Sequence, residues 1–146
     1  MDKNNKQKAL FFVAVKLFLA DKNRLLILKD KFGQWDLPGG RIKTNEFSKP
    51  FTTVLKRKIT EELGSKVKFK LTQAPEIFIR HMRKEKVGSS KEAKIFALGF
   101  KAKLLKGKIL LSPAHTTHLW ANKKDILSGK FLTGGWLKGA IDYFKI

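Results

Sequence analysis

The 146 residues carry 32 Lys plus Arg against 12 Asp plus Glu, a net charge of +20, with 42% hydrophobic residues and no Cys. That length suits a single domain over residues 1–146 with its own core, and the composition excludes a disordered or fibrous chain. Zero Cys excludes a disulfide framework, a thiolate metal site and a cysteine nucleophile; His81, His115 and His118 are too few for an imidazole-rich zinc site. The charge favours polyanionic partners. It is made of 27 Lys and 5 Arg spread along nearly the whole chain. This reads as a compositional habit rather than a recognition stripe, because bidentate readers of phosphates and bases lean on Arg. The expectation is non-specific, salt-sensitive attraction to nucleic acid.

A polar, basic start (Met1 to Lys8) precedes an apolar run from Ala9 to Ala20. Such a pair can mark a secretion signal, but Lys16 interrupts the run and Asp21-Lys22-Asn23 turns the chain into Leu25-Leu26-Ile27-Leu28. Strands over Leu10–Leu19 and Leu25–Lys29, joined by that turn, predict a β-hairpin. Next comes a helix beginning near Ser48 as N-cap, with Pro50 in its first turn. Phe51, Leu55, Ile59 and Leu63 recur every four residues on its apolar face, and Gly64 is its stop. Strands are expected at Val67–Leu71, Ile77–Arg80, Lys94–Leu104 and Thr117–Ala121, with an exposed loop over Met82–Lys91 around Gly88-Ser89-Ser90. A second amphipathic helix covers Thr133–Phe144, with Trp136, Leu137, Ala140, Ile141 and Phe144 on one face. Strands around one central helix, with a closing helix, imply a mixed α/β or α+β sandwich. No stretch approaches the roughly 20 apolar residues of a membrane span, so the cytoplasm is the default location.

Acidic residues are scarce, which makes their placement informative. Glu61 and Glu62 are adjacent in the last turn of the first helix, where the helix dipole disfavours carboxylates. A bound cation would compensate them, and so would Lys58, which is spaced to pair with both. Upstream, Trp35-Asp36-Leu37-Pro38-Gly39-Gly40 ends in two glycines that let backbone approach a ligand closely. Arg41 and Lys43 follow. Glycines and cations ahead of paired carboxylates suit a metal-bound diphosphate, since Mg²⁺ takes a few carboxylates together with phosphate oxygens and water.

These residues resemble the Nudix box of the Nudix (MutT-like) hydrolases, over about residues 40–67. Gly40, five residues, Glu46, and later Arg57-Lys58-Ile59-Thr60-Glu61-Glu62-Leu63-Gly64 follow the family's Gly-x5-Glu-x7-Arg-Glu-U-x-Glu-Glu-x-Gly-U, with U aliphatic. The Trp-Asp-Leu-Pro-Gly-Gly lead-in is also similar, as are Ser112-Pro113-Ala114-His115 with Trp120 beyond and the C-terminal helix. The box is degenerate. Ten residues rather than seven separate Glu46 from Arg57, which reads as an insertion ahead of the helix. Lys58 stands where the family has the first Glu of its Arg-Glu pair. Ala114 stands where many members have a further Glu, and Ser65 replaces an aliphatic.

The resemblance implies a Nudix-type α/β/α sandwich around a mixed β-sheet, and a hydrolase dependent on Mg²⁺ or Mn²⁺. Its substrates would be nucleoside diphosphates linked to another moiety. Gly39, by its carbonyl, with Glu61 and Glu62 would hold the metal. Arg57 would orient the carboxylates, Glu46 would pair with the helix, and Gly40 and Gly64 would be structural. Lys58 would contact a substrate phosphate. Arg41, Lys43 and Trp35 are expected to bind substrate, with Phe32, Trp35 and Phe78 as candidates to stack on a base. His115, Glu76, Glu85 and Glu92 are the substitutes for the missing base. Lys58, Ala114 and the charge also admit a silent Nudix-fold module that binds nucleotides or RNA.

Overall fold

The computed structural model describes residues 6–84 and 92–146. Strands β1 (Phe12–Asp21) and β2 (Arg24–Asp30) form the expected hairpin, with Lys22 in the left-handed region at φ 57° in its turn. Two short strands follow, β3 (Trp35–Asp36) and β4 (Gly39–Arg41), then a 3-10 turn at Thr44–Glu46 and helix α1 (Phe51–Leu63). After them come β5 (Lys68–Leu71), β6 (Ile77–Lys84), β7 (Glu92–Lys106) and β8 (His115–Asn122). Helices α2 (Lys123–Leu127) and α3 (Gly134–Lys145) close the chain.

All these strands join one mixed sheet. β1 and β7 run parallel from Phe12↔Ile95 to Ala20↔Lys103, and the other pairings are antiparallel. Alternate residues of β1 feed two cores. Val15, Leu17 and Leu19 pack with Val54, Leu55, Ile59 and Leu63 of α1, while Ala14 and Phe18 pack with Trp136 and Ala140 of α3. Helices cover both faces, which is why β1 and β2 read as nearly continuous apolar runs instead of alternating ones. This is the α/β/α sandwich.

The sheet forks twice. β1 pairs with β2 at Ala20 and Asp21 but with β4 at Ala14, Val15 and Lys16. β7 pairs with β6 as far as Gly99 and with β5 from Ala102 onward. The first fork leaves room beside Lys16 for the β3–β4 segment and the last turn of α1, and the cleft described below opens there.

Three sequence expectations are corrected. Pro50, not Ser48, occupies the N-cap of α1 with no side-chain cap; its carbonyl accepts from Thr53 and Val54 instead. The Met82–Lys91 loop is shorter than expected, because the antiparallel register continues through Met82↔Lys94, Arg83↔Ala93 and Lys84↔Glu92; residues 85–91 lie outside the described residues. Helix α2 was not foreseen, although its cap is legible: Asn122 Oδ1 accepts from the Asp125 amide at 2.8 Å.

Helix α3 sits on β6 because Gly135 and Gly139 present no side chain to it. A Cβ at Gly135 would stand 2.1 Å from the Arg80 carbonyl oxygen, and one at Gly139 would stand 2.5 Å from Ile79 Cδ1. Gly135→Ala must therefore lift α3 from the sheet, at a cost of about 1–3 kcal/mol of overpacking. The expected outcome is a lower denaturant midpoint at unchanged m-value; a parental midpoint would show that the helix seat has slack.

Candidate active site

Gly39 begins β4 with φ +124°, and a Cβ there would lie 2.0 Å from the Val15 carbonyl oxygen. Glycine is required for the chain to pass β1 this closely. The Gly39 amide donates to Glu62 Oε1 at 2.7 Å, which joins β4 to the end of α1. Gly64, at φ +89°, stops that helix. The amides of Leu110 and Ser112 then donate to the carbonyls of Leu63 and Glu62 at 2.9 and 3.1 Å. This seam brings the segment before β8 onto the helix end and sets His115 Nε2 3.8 Å from Glu62 Oε2. Ser112 Oγ lies 3.3 Å from the other ring nitrogen, Nδ1.

Burial pushes the Glu62 carboxyl up to about 7, against the opposing pull of Lys16 and of the Gly39 amide. Burial also lowers the His115 imidazole, so it is neutral at pH 7, although Asp36 and Asp30 oppose the shift. A carboxylate and an imidazole with shifted pKa values in one cleft are the features of an acid–base site.

Arg57 connects the box. Its Nε donates to Glu46 Oε2 at 2.7 Å and its Nη1 to Glu61 Oε1 at 2.6 Å. The Lys43 amide donates to Glu46 Oε1 at 2.9 Å; this bond, and then Arg57, hold the Glu46 carboxyl below its usual range despite burial. The longer Glu46–Arg57 span does not break the pair. The extra residues run through Phe47–Pro50, ahead of the helix, and leave Phe47 85% exposed.

Lys58 does not pair with Glu61 and Glu62 as its spacing suggested. Arg57 takes Glu61 and Gly39 takes Glu62, while the Lys58 side chain lies across Gly40, its Nζ 3.2 Å from where a Cβ would be. Burial there lowers the Lys58 pKa, reinforced by the Arg57 charge.

The resulting cleft has a volume of about 260 Å³. Its lining includes Gly39, Gly40, Arg41, Glu62, Ala114 and His115 and, facing them, Lys16, Asp30, Lys31, Phe32, Asp36, Arg83 and Trp136. Trp35 packs edge-on against Phe131, with centroids 5.2 Å apart, and borders an adjoining hollow of about 550 Å³. Asp30, Asp36, Arg83 and Trp136 are common to both spaces. Lys43 lies elsewhere, beside Phe47 in an apolar hollow. Phe78 is exposed on β6, and Glu76 stands 3.7 Å from Lys101, outside the cleft lining. Glu92 is exposed at the start of β7, and Glu85 lies outside the described residues. Of the four substitute bases, His115 is the one among the described residues that the fold brings to Glu62.

A charged wall stands opposite, built from residues outside the box motif. Lys16 is 3% exposed, with Nζ 3.0 Å from both Asp36 carboxylate oxygens and 3.1 Å from the Leu37 carbonyl. Arg83 reaches Asp30 at 3.4 Å and Asp36 at 3.7 Å. A lone lysine inside an apolar strand was the available signal for Lys16. Arg83 carried none, because strand β6 was expected to end before it.

The donors at the helix end are hard carboxylate oxygens, the type Mg²⁺ and Mn²⁺ accept. Among the described residues, no three acidic or imidazole side chains gather as a cation cage. The set fits an ion that brings phosphate oxygens with it, and does not fit one held by protein alone.

No family model and no curated protein sequence matches the chain. Solved structures do. A MutT protein from Methanosarcina mazei superposes with TM-score 0.71 at 19% identity, covering 96% of this chain and 97% of that one. A Nudix hydrolase from Nitrosomonas europaea gives TM-score 0.68 at 15% identity, covering 93% of this chain and 90% of that one. An ADP-ribose pyrophosphatase from Streptococcus suis gives 0.65 at 12% identity, with 92% and 90% covered. The likeness at these identities is one of fold, and this chain is a Nudix-fold protein. No helix among the described residues is long and apolar enough to cross a membrane.

The Glu62 environment has a measurable consequence. An unfolded Glu titrates at about 4.3, so the folded state binds the proton more tightly and stability falls as pH rises from there to about 7. Glu62→Gln keeps the Gly39 hydrogen bond and removes the charge. Its Tm should equal the parent's near pH 4 and exceed it at pH 8; equal values at both pH would refute the buried, unfavourably charged carboxylate.

Proposed function

We propose that this chain hydrolyses nucleoside diphosphates linked to a further moiety, with the diphosphate lying in the Glu62–His115 cleft. The observation that carries this reading is the convergence of a buried carboxylate, a neutral imidazole and the cations Lys16, Arg41 and Arg83 on one hollow. Fold analogy supports the substrate class, because similar structures include an ADP-ribose pyrophosphatase and a UDP-X diphosphatase.

Glu62 and Glu61, with the Gly39 carbonyl, would hold a Mg²⁺ or Mn²⁺ ion that enters on the phosphate oxygens. When bound, the ion would neutralise charge developing on the diphosphate. His115 would take a proton from the attacking water through Nε2, in the tautomer whose Nδ1–H donates to Ser112 Oγ. The new bond joins the water oxygen to phosphorus, and the bond to the bridging oxygen breaks, leaving two phosphorylated products. Arg41 and Lys58 attract the phosphates, Arg57 and Glu46 keep helix and loop in register, and the hollow beside Trp35 accommodates the base or the linked moiety.

A second reading has its own support. The commitment of Glu61 to Arg57 and the Lys58 ammonium over Gly40 suit a module that binds nucleotides without cutting them. A ³¹P NMR screen with Mg²⁺ or Mn²⁺ separates the two, using nucleotide sugars, dinucleoside polyphosphates, nucleoside triphosphates and 5′-capped RNA. Turnover is expected, with His115→Ala lowering kcat by about 10²–10⁴-fold, the usual weight of general-base catalysis. Lys58→Glu should raise KM more than it lowers kcat, as repulsion replaces attraction at the phosphate. Nucleotide binding by calorimetry without turnover on any substrate would favour the module.

A further inference from the structure

The lysines are spread evenly along the chain, but the sheet gathers several into a line. At the end of the sheet away from the cleft, Arg24 of β2 lies beside Asp21 of β1, whose neighbour Ala20 pairs with Lys103 of β7. Lys103 in turn pairs with Lys70 of β5, and Lys68 pairs with Lys106 one step further out. The line crosses four strands, about 14 Å at ~4.8 Å per strand. Like charges directly opposite one another on a sheet are destabilising, yet two such pairs stand here side by side. Among the described residues, no carboxylate lies within ion-pair distance of Lys68, Lys70, Lys103 or Lys106, whereas Lys101 has Glu76 at 3.7 Å and Arg24 has Asp21 at 3.7 Å.

The inner end of the line opens into a hollow of about 340 Å³. Lys22, Arg24, Lys101 and Lys123 border it, with Tyr143 and Phe144 as its aromatic wall. Lys123 Nζ stands 5.9 Å from the Phe144 ring centre, and Tyr143 stacks on Phe18 at 5.1 Å. Helix α3 separates this hollow from the cleft, since Trp136 covers Lys16 while Tyr143 covers Phe18 two residues further along β1.

We propose that this stripe and hollow bind single-stranded nucleic acid, with phosphates along Lys103 and Lys70 and an unpaired base against Tyr143 and Phe144. One row of cations tracks one backbone, and aromatic rings beside such a row hold bases whatever their sequence. A duplex has no free base for the hollow. The proposal does not rest on hydrolysis in the cleft.

The test is fluorescence anisotropy of the full chain with a labelled twelve-residue oligo-dT at several salt concentrations. Lys70→Glu/Lys103→Glu is compared with Lys49→Glu/Lys56→Glu, which makes the same change in net charge on the α1 side. The stripe variant should bind at least tenfold more weakly, with a slope of log affinity against log salt flatter by about 1.4, or about 0.7 per lost phosphate contact. The α1-side variant should keep the parental slope. Lys70→Glu alone replaces a like-charge pair with an ion pair, so it should weaken binding while Tm stays level or rises, which separates binding from folding. Equal losses in the two double variants would overturn the proposal, as would equal affinity for a duplex of the same length. Binding to anionic phosphatidylserine vesicles without oligonucleotide binding would overturn it too.

Discussion

Lys16 places a full positive charge inside the first strand, between β4 and helix α3, and much of the structure is arranged around it. Both oxygens of Asp36 and the carbonyl of Leu37 receive its ammonium, and the Trp136 ring lies 4.8 Å from it on the α3 side. An ammonium taken out of water needs such a full set of partners; removing one member of a buried pair typically costs about 3–5 kcal/mol. The Lys16–Asp36 pair therefore fixes where the β3–β4 segment crosses β1. That crossing sets the position of Gly39, whose amide holds Glu62. The same charge favours ionised Glu62, partly opposing the burial that raises its pKa.

The site thus rests on two ion-pair systems on opposite sides of one glycine-rich strand. On the sheet side, Lys16, Asp36, Asp30 and Arg83 form one wall of the cleft, and Asp30, Asp36 and Arg83 also border the adjoining hollow. On the helix side, Arg57 joins Glu46 to Glu61 and keeps the loop before α1 in register with its last turn. Glu62 stands between the two systems, with one oxygen on backbone and the other toward His115. In the proposed hydrolysis, preorganised groups of this kind would act on developing charge without rearranging.

The +20 charge is read differently once the chain is folded. Along the sequence its even spread suggested composition alone. In the sheet, β-pairing sets Lys70 against Lys103 and Lys68 against Lys106, and nearby carboxylates serve other cations. A one-dimensional count cannot reveal this, because which lysines meet depends on strand register and on the bulge between Lys68 and Phe69.

The hairpin, the two long helices and the Glu46–Arg57–Glu61 region were legible because each rests on local chemistry. An apolar period, a turn triplet, a glycine stop and a dense motif are visible within a few residues. Arg57 reaches Glu61 one helical turn on, a spacing that permits the contact, and it was the resemblance to the box that singled out Arg57 as the residue orienting the carboxylates. The partners of Lys58 and Glu62 were not legible. Spacing offered Lys58 both carboxylates, but Arg57 and the Gly39 amide claim them first, and the amide arrives from 23 residues upstream. The Glu46–Arg57–Glu61 contacts were thus determined by sequence, along with the helix face that carries them. Tertiary structure decided that Lys16 is buried, that His115 rather than Glu76 or Glu92 meets Glu62, and that Arg83 closes the cleft. Those outcomes depend on how a forked sheet brings distant strands together, and local periodicity carries no information about that.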